Sequence, residues 1–266
     1  MEGTKMEMKK TNKPRSKRGL RIVIWTLSIL VIITIAVSVL LDSLTYKPLD
    51  EAKAVFQSDT KVVVEHLKDG YRFEPVGGEV IQPDIIFYPG GLVEPESYAP
   101  FAKRMAEKGH RVYIASMPLN LAFFGQNKAD SFISEHQGSR YVIGGHSLGG
   151  VFAARYASEH ADVIDGVYFM ASYADDGGKL NGLNMSALQI TGTQDGVLDR
   201  TEWEAARKNL PDDTTYVDIA GGNHGQFGSY GFQKGDNEAS LTPAEQLIEV
   251  TEAMDLWIQG LDSFQR

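Results

Sequence analysis

Arg140-Tyr141-Val142-Ile143-Gly144-Gly145-His146-Ser147-Leu148-Gly149-Gly150-Val151-Phe152-Ala153 is the stretch that decides the fold. Tyr141 to Ile143 is a short apolar run of the kind that forms a buried strand. Glycines break it, and Val151-Phe152-Ala153-Ala154-Arg155-Tyr156-Ala157 resumes as a helix. Between them lies Gly145-His146-Ser147-Leu148-Gly149, a G-x-S-x-G match. A serine projecting from so tight a strand-to-helix turn needs strained backbone. Side chains two places before and after it would collide, and glycine at both positions removes them. A helix starting at Ser147 aims its first N–H groups at negative charge developing there. The motif alone also occurs by chance in glycine-containing loops. The strand before it, the helix after it and partners further along the chain give it weight.

The chain has 266 residues, 42% hydrophobic and 23% charged, enough for one domain with a large core plus an appendage. It contains no cysteine, which excludes disulfides, thiol catalysis and cysteine-bound metal. The net charge of −9 is unevenly spread. Residues 1–21 hold eight Lys/Arg and two Glu, leaving 18 basic and 33 acidic side chains, a net of −15, in 22–266. A body that acidic repels phosphate, so no nucleic-acid partner is expected.

Ile22 to Leu41 carries no charge, and its only polar residues are Thr26, Ser28, Thr34 and Ser38. As a helix it would span about 30 Å, the hydrocarbon thickness of a bilayer. Trp25 suits the interface, and the basic arm 1–21 precedes the span. The positive-inside rule puts that arm in the cytoplasm and everything beyond Leu41 outside. The expectation is a single-pass cell-membrane protein, contacting the bilayer through 22–41, with an extracytoplasmic domain. Ala36-Val37-Ser38 also fits a small-x-small cleavage site, so a removed signal peptide is the competing reading. The long basic segment and the apolar residues up to Leu41 favour an uncleaved anchor. A buried core helix would leave the basic arm nowhere to go.

Residues 42–60 read as a tether, with Leu49–Phe56 fitting either a helix or a first strand, and 61–266 as the catalytic domain. Val62–Leu67 and Tyr71–Val76 flank Lys68-Asp69-Gly70, a hairpin signal. From Asp84 strands and helices alternate. Strands are expected at 85–88, 111–116, 141–143, 166–171, 187–190 and 215–219, and helices at 97–108, 129–136, 147–157, 200–210 and 243–261. That alternation predicts an α/β fold, a mostly parallel sheet with helices on both faces.

In such sheets reacting groups gather at the carboxyl ends of strands. Tyr88-Pro89-Gly90-Gly91-Leu92 ends one strand, and Gly91 N–H with Leu148 N–H would make a two-donor oxyanion hole; Gly90 or Leu92 fits by a shift of register. Asp195 in Thr191-Gly192-Thr193-Gln194-Asp195-Gly196 would orient a histidine. Asp199 competes, but is better placed as the N-cap of the helix from Arg200. Of six histidines, His224 alone sits in a glycine-rich loop after a late strand, Gly221-Gly222-Asn223-His224-Gly225, and fits a general base. His66 lies in the hairpin, His146 inside the elbow, and His110, His136 and His160 at helix ends exposed to solvent. No histidine or carboxylate group has metal-ligand spacing, and no cofactor is expected.

The order Ser147, Asp195, His224 is that of the α/β-hydrolase superfamily, which the chain resembles over roughly 84–261. It looks most like small, lid-poor bacterial members related to dienelactone hydrolases. The residues that carry the resemblance are Tyr88-Pro89-Gly90-Gly91, Gly144 to Gly150, Asp195-Gly196 and Gly222 to Gly228. Dienelactone hydrolases use a cysteine nucleophile and this chain has none, so their substrate does not carry over. The resemblance implies an α/β-hydrolase fold and Ser-Asp-His esterase chemistry: a serine hydrolase, carboxylesterase-like, cleaving a small carboxylic ester or related acyl bond through an acyl-enzyme. An envelope acyltransferase on the same triad, and a non-catalytic binding protein on the same scaffold, are the alternatives.

Two loops bear on the substrate. Tyr173–Ser186 is too short and too polar for a lid, which suits small, short-acyl, soluble esters. Met117, Leu119, Leu121, Phe123 and Phe124 are candidates either to wall an acyl pocket or to pack on the body. The Gln226–Asp236 loop either lines the pocket or pins His224.

Overall fold

The computed structural model describes residues 17–263. The chain divides into two units between Ser43 and Leu44. The first contains α1 (Lys17–Leu44) up to that boundary. From Gly19 to Leu44 it is long and apolar enough to cross a membrane, and its large side chains, Trp25 and Ile32 among them, are exposed. Two of its hydroxyls turn back onto the helix: Thr26 and Thr34 donate to the carbonyls of Ile22 and Leu30 at 2.8 and 2.9 Å, so neither needs an outside partner. Most of the basic arm, residues 1–16, lies outside the described residues.

In the second unit, alternation of side chains along the strands builds two cores. Ile85 and Phe87 of β3 (Ile81–Tyr88) point to one face and Ile86 and Tyr88 to the other. The first face is covered by α3 (Ala99–Glu107) and α7 (Pro243–Ser263), with Met105, Met254 and Trp257 inside. The second is covered by α4 (Ala129–Glu135) and α5 (Leu148–Glu159), with Phe132, Phe152 and Tyr156 inside.

The eight-stranded sheet has the order β1-β2-β4-β3-β5-β6-β7-β8. The hairpin β1 (Val62–Leu67) and β2 (Gly70–Pro75) is antiparallel, and β2 pairs antiparallel with β4 (His110–Ala115). The rest run parallel: β3, β5 (Tyr141–His146), β6 (Ile164–Met170), β7 (Ser186–Gly192) and β8 (Thr215–Ile219). Register aligns Tyr88 with Gly145, Gly145 with Phe169, Phe169 with Gln189, and Gln189 with Tyr216. The loops that follow β3, β5, β6, β7 and β8 therefore leave the sheet at one edge. The fold matches the sequence expectation, with β3 beginning four residues earlier and α6 (Arg200–Ala206) closing in a short 3₁₀ turn, Arg207–Asn209.

Within the 42–60 stretch, expected as a tether, residues from Thr45 onward are packed on the body. Tyr46 N–H donates to Leu92 O at 2.7 Å and Glu94 N–H donates to Tyr46 O at 3.0 Å. Leu49 N–H donates to Ser229 O at 2.9 Å. A short helix, α2 (Asp50–Val55), follows and buries Ala52 completely. Backbone pairing, the buried Ala52 and the rings of Tyr46 and Phe56, set against Tyr230 at 5.3 Å and Tyr71 at 4.6 Å, hold a segment whose polar composition reads as loose. His110 also departs from expectation: it opens β4, is fully buried, and bonds Asp255 through Nε2 at 3.2 Å.

Candidate active site

The turn from β5 into α5 places Ser147 at φ 51°, ψ −123°. That backbone is strained for a residue with a side chain, by about 1–3 kcal/mol. Glycine permits the turn for a concrete reason. A Cβ on Gly145 would come within 2.2 Å of Tyr88 O, and one on Gly149 within 2.1 Å of the same atom. The elbow thus rests directly against the end of β3. Ser147 N–H donates to Met170 O at 2.9 Å, and Ser172 Oγ donates to Ser147 O at 2.6 Å.

Asp195 follows β7 and His224 follows β8. His224 Nδ1 lies 2.9 Å from Asp195 Oδ2, with both side chains almost wholly buried. The other carboxylate oxygen accepts the N–H groups of Val197 and Leu198, each at 2.8 Å. Burial works to raise the Asp195 carboxyl. The hydrogen bond and charge of His224, and the N–H groups of Leu198 and Val197, outweigh it and hold the carboxyl below its ordinary value. With Nδ1–H given to Asp195, Nε2 is the ring atom left to take a proton. It is buried and makes no hydrogen bond among the described residues. Asp199 caps α6 instead, accepting from Thr201 and Glu202 N–H at 2.9 and 3.1 Å.

Ser147 and His224 line one cleft of about 260 Å³ with Leu148, Val151, Ala171, Ser172, Tyr173, Val197, Leu198 and Asp199. No Lys or Arg is among those walls. Beside it, a Cβ on Gly91 would stand 3.1 Å from Leu148 Cδ2, so the two expected oxyanion donors are neighbours. The three N–H groups of Gly90-Gly91-Leu92 have different fates. Gly90 donates to Tyr98 Oη at 3.0 Å and Leu92 to Asn120 O at 2.7 Å. Gly91 N–H has no acceptor among the described residues, and Leu148, first in its helix, has no carbonyl a turn back within that helix.

His146, beside Ser147 in sequence, points away from the cleft. Its Nδ1 lies 2.9 Å from Tyr98 Oη, and its ring centroid is 4.5 Å from that of His224. Burial first, and then the neighbouring His224, push its pKa well below 6.5. Because Gly90 N–H already donates to Tyr98 Oη, the hydroxyl proton is free for His146 Nδ1. Nothing in the sequence marks Tyr98 for this place.

The Gln226–Asp236 loop pins rather than lines. Phe227 and Tyr230 are buried, Phe227 stacks on His146 at 5.7 Å, and no residue beyond His224 reaches the cleft. Phe123 and Phe124 stand 65% and 53% exposed, outside the cleft walls, and of the two expected roles only packing is met, in part: the Phe123 ring sits edge-on to the core residue Phe152 at 6.1 Å. They belong to one 3₁₀ turn, Ala122–Phe124, and Val151, Val197 and Leu198 supply the apolar lining instead. Among the described residues no cluster of three His or acidic side chains is arranged to hold a metal.

Residues 84–248 match the model of the alpha/beta hydrolase family. The chain belongs to that family. No curated protein matches the hydrolase significantly. Solved structures do, and at their level of identity the likeness is one of fold. Est1E from Butyrivibrio proteoclasticus is 15% identical with a TM-score of 0.54, over 76% of this chain and 99% of its own. MGS-MChE2, an alpha/beta hydrolase enzyme from the metagenome of Mar Chica lagoon sediments, is 14% identical with a TM-score of 0.56, over 75% and 99%. A membrane phospholipase A, described as a bacterial virulence factor, is 14% identical with a TM-score of 0.58, over 91% and 99%.

Proposed function

We propose that this hydrolase is a serine esterase that cleaves short-acyl, uncharged carboxylic esters. The observation that carries the reading is the Asp195–His224 pair at 2.9 Å, whose unpartnered Nε2 belongs to the same cleft as a serine on a strained elbow. In the proposed reaction Ser147 Oγ attacks the ester carbonyl as His224 Nε2 takes its proton. The tetrahedral oxyanion accepts from Leu148 and Gly91 N–H. The alkoxide leaves with the proton from His224, and water repeats the sequence on the acyl-enzyme. Asp195 holds the ring and stabilises the imidazolium.

The walls support the substrate class. The cleft is small, Leu148, Val151, Ala171, Val197 and Leu198 give it an apolar side, and its one charged wall residue, Asp199, is an anion that would repel an acidic substrate; Ser172–Met185 crosses the edge as irregular chain rather than as an apolar cover. Each buried methylene is worth about 0.8 kcal/mol, so long chains gain only where walls exist to cover them. The proposed location is the outer side of a cell membrane, held by α1 as an uncleaved anchor. Its support is the uncharged run 22–41 behind a basic arm.

The test is Ser147→Ala in the full chain. Nitrophenyl-acetate hydrolysis should fall by about 10⁴-fold or more, with loss of fluorophosphonate labelling and an unchanged Tm. Retention of a tenth of kcat would end the assignment. Across a nitrophenyl ester series kcat/KM should peak at about two to six carbons.

A further inference from the structure

Asp236 is 8% exposed and no Lys or Arg pairs with it among the described residues. Its charge is met instead by backbone. Oδ1 accepts Gly196 N–H at 3.0 Å and Asn237 N–H at 2.9 Å, and Oδ2 accepts Gly225 N–H at 2.8 Å. Gly196 is the residue after Asp195, and Gly225 the residue after His224. One carboxylate therefore reaches both strand-end loops that carry the acid and the base, 40 and 11 residues away in sequence.

We infer that Asp236 is a positioning residue that sets the Asp195–His224 distance by stapling the two loops together. The inference rests on the triad reading above. The chemistry of the group explains why it is a carboxylate. Facing two N–H donors from opposite loops requires acceptors on both sides. A carboxylate has two, whereas an amide of the same shape turns its NH₂ toward one loop and leaves that loop's N–H buried and unpaired. A turn-forming role alone would use only the local bond to Asn237. A second support points the same way: Asn223 Nδ2 donates to Asn237 O at 2.7 Å, so the residue before His224 is tied to the same short segment.

The experiment is Asp236→Asn in the full chain, with rates counted per fluorophosphonate-labelled site so that unfolded protein does not contribute. Displacing a dyad by a fraction of an ångström should lower kcat by about 10–100-fold with KM nearly constant. The low-field proton resonance of the Asp195–His224 hydrogen bond should shift or broaden. A staple that serves stability alone would lower Tm while leaving kcat per site and that resonance as in the wild type, and this result overturns the inference. Should the variant not fold, hydrogen exchange on the wild type decides: Gly196 and Gly225 amides should be protected to a similar degree. Exchange of either as fast as the exposed Gly182 amide overturns it. Failure of Ser147→Ala to abolish activity would instead strike the triad reading, and leaves the exchange result to stand by itself.

Discussion

The two halves of the candidate site are held by different physics. On the side of the proposed nucleophile, the chain itself fixes the geometry: Ser147 is trapped between β5 and α5, with Gly145 and Gly149 packed against Tyr88 O. On the side of the proposed base, Asp195 and His224 sit on loops that side chains suspend. Gln246, fully buried on α7, accepts from Asn223 N–H at 3.0 Å and donates to Asn223 O at 2.9 Å. Asp236 accepts from the N–H groups of Gly196 and Gly225, the residues that follow Asp195 and His224. Steric exclusion is all-or-none, because a clashing atom has no partial solution. A set of hydrogen bonds loosens one bond at a time. The nucleophile side should therefore fail abruptly on substitution and the base side by degrees.

The largest effect expected is Gly149→Val. Its Cβ alone would stand 2.1 Å from Tyr88 O and 2.4 Å from Pro89 O, both backbone atoms that cannot step aside. Soluble, labelled enzyme should be absent from a pull-down with a fluorophosphonate probe, and recovery of labelled protein would show that the elbow is more plastic than the contacts imply. Next is Asp195→Asn, which keeps the Val197 and Leu198 bonds to Oδ1 but disfavours the needed His224 tautomer. Activity should drop by about 10⁴-fold in kcat with little change in Tm. A drop below tenfold would mean the ring is oriented by its surroundings.

Tyr98→Phe tests the seam between the halves. It strands Gly90 N–H and His146 Nδ1 in the interior, at about 1–3 kcal/mol in denaturant unfolding. Activity should fall by less than in Asp195→Asn, since neither stranded group is proposed to touch the reacting atoms. The smallest effect concerns pH. The folded His146 pKa lies well below its ordinary 6.5, so the unfolded chain binds a proton there that the folded one refuses. Its contribution to stability is full above pH 6.5 and is lost as pH falls through the folded value. Tm should decline from about pH 6.5 downward, and His146→Gln should flatten that slope. An unchanged slope would show that other groups set it.

The same division explains what the sequence made legible. Steric rules leave a trace in residue type at fixed spacing, so Gly145, Ser147 and Gly149 are readable as one turn, and the strand-end logic points on to Asp195 and His224, which the structure brings within 2.9 Å of each other. Hydrogen-bonded suspension leaves no such trace. Tyr98 is an ordinary aromatic eight residues after Gly90, and Asp236 stands in Gln233-Lys234-Gly235-Asp236-Asn237, a composition any surface turn shares. The Gln226–Asp236 loop could be noticed for its aromatics but not assigned, because lining and pinning use the same side chains. Residues 45–60 are hard to read for a related reason: part of their hold is main-chain pairing, to which composition is blind, and Tyr46, Val55 and Phe56, which pack on the core, are scattered among polar residues with no clear period.

That segment has a consequence for processing. Tyr46 is laced to Leu92 and Glu94 beside Gly91, its hydroxyl accepts Lys234 N–H at 3.1 Å, and Leu49 bonds Ser229 in the loop after His224. A protease that freed the body by cutting among residues 45–49 would sever a lace tied to the loops after Gly91 and after His224. Shedding compatible with activity must therefore cut upstream of Thr45, and an N-terminus mapped on any active soluble form should fall there.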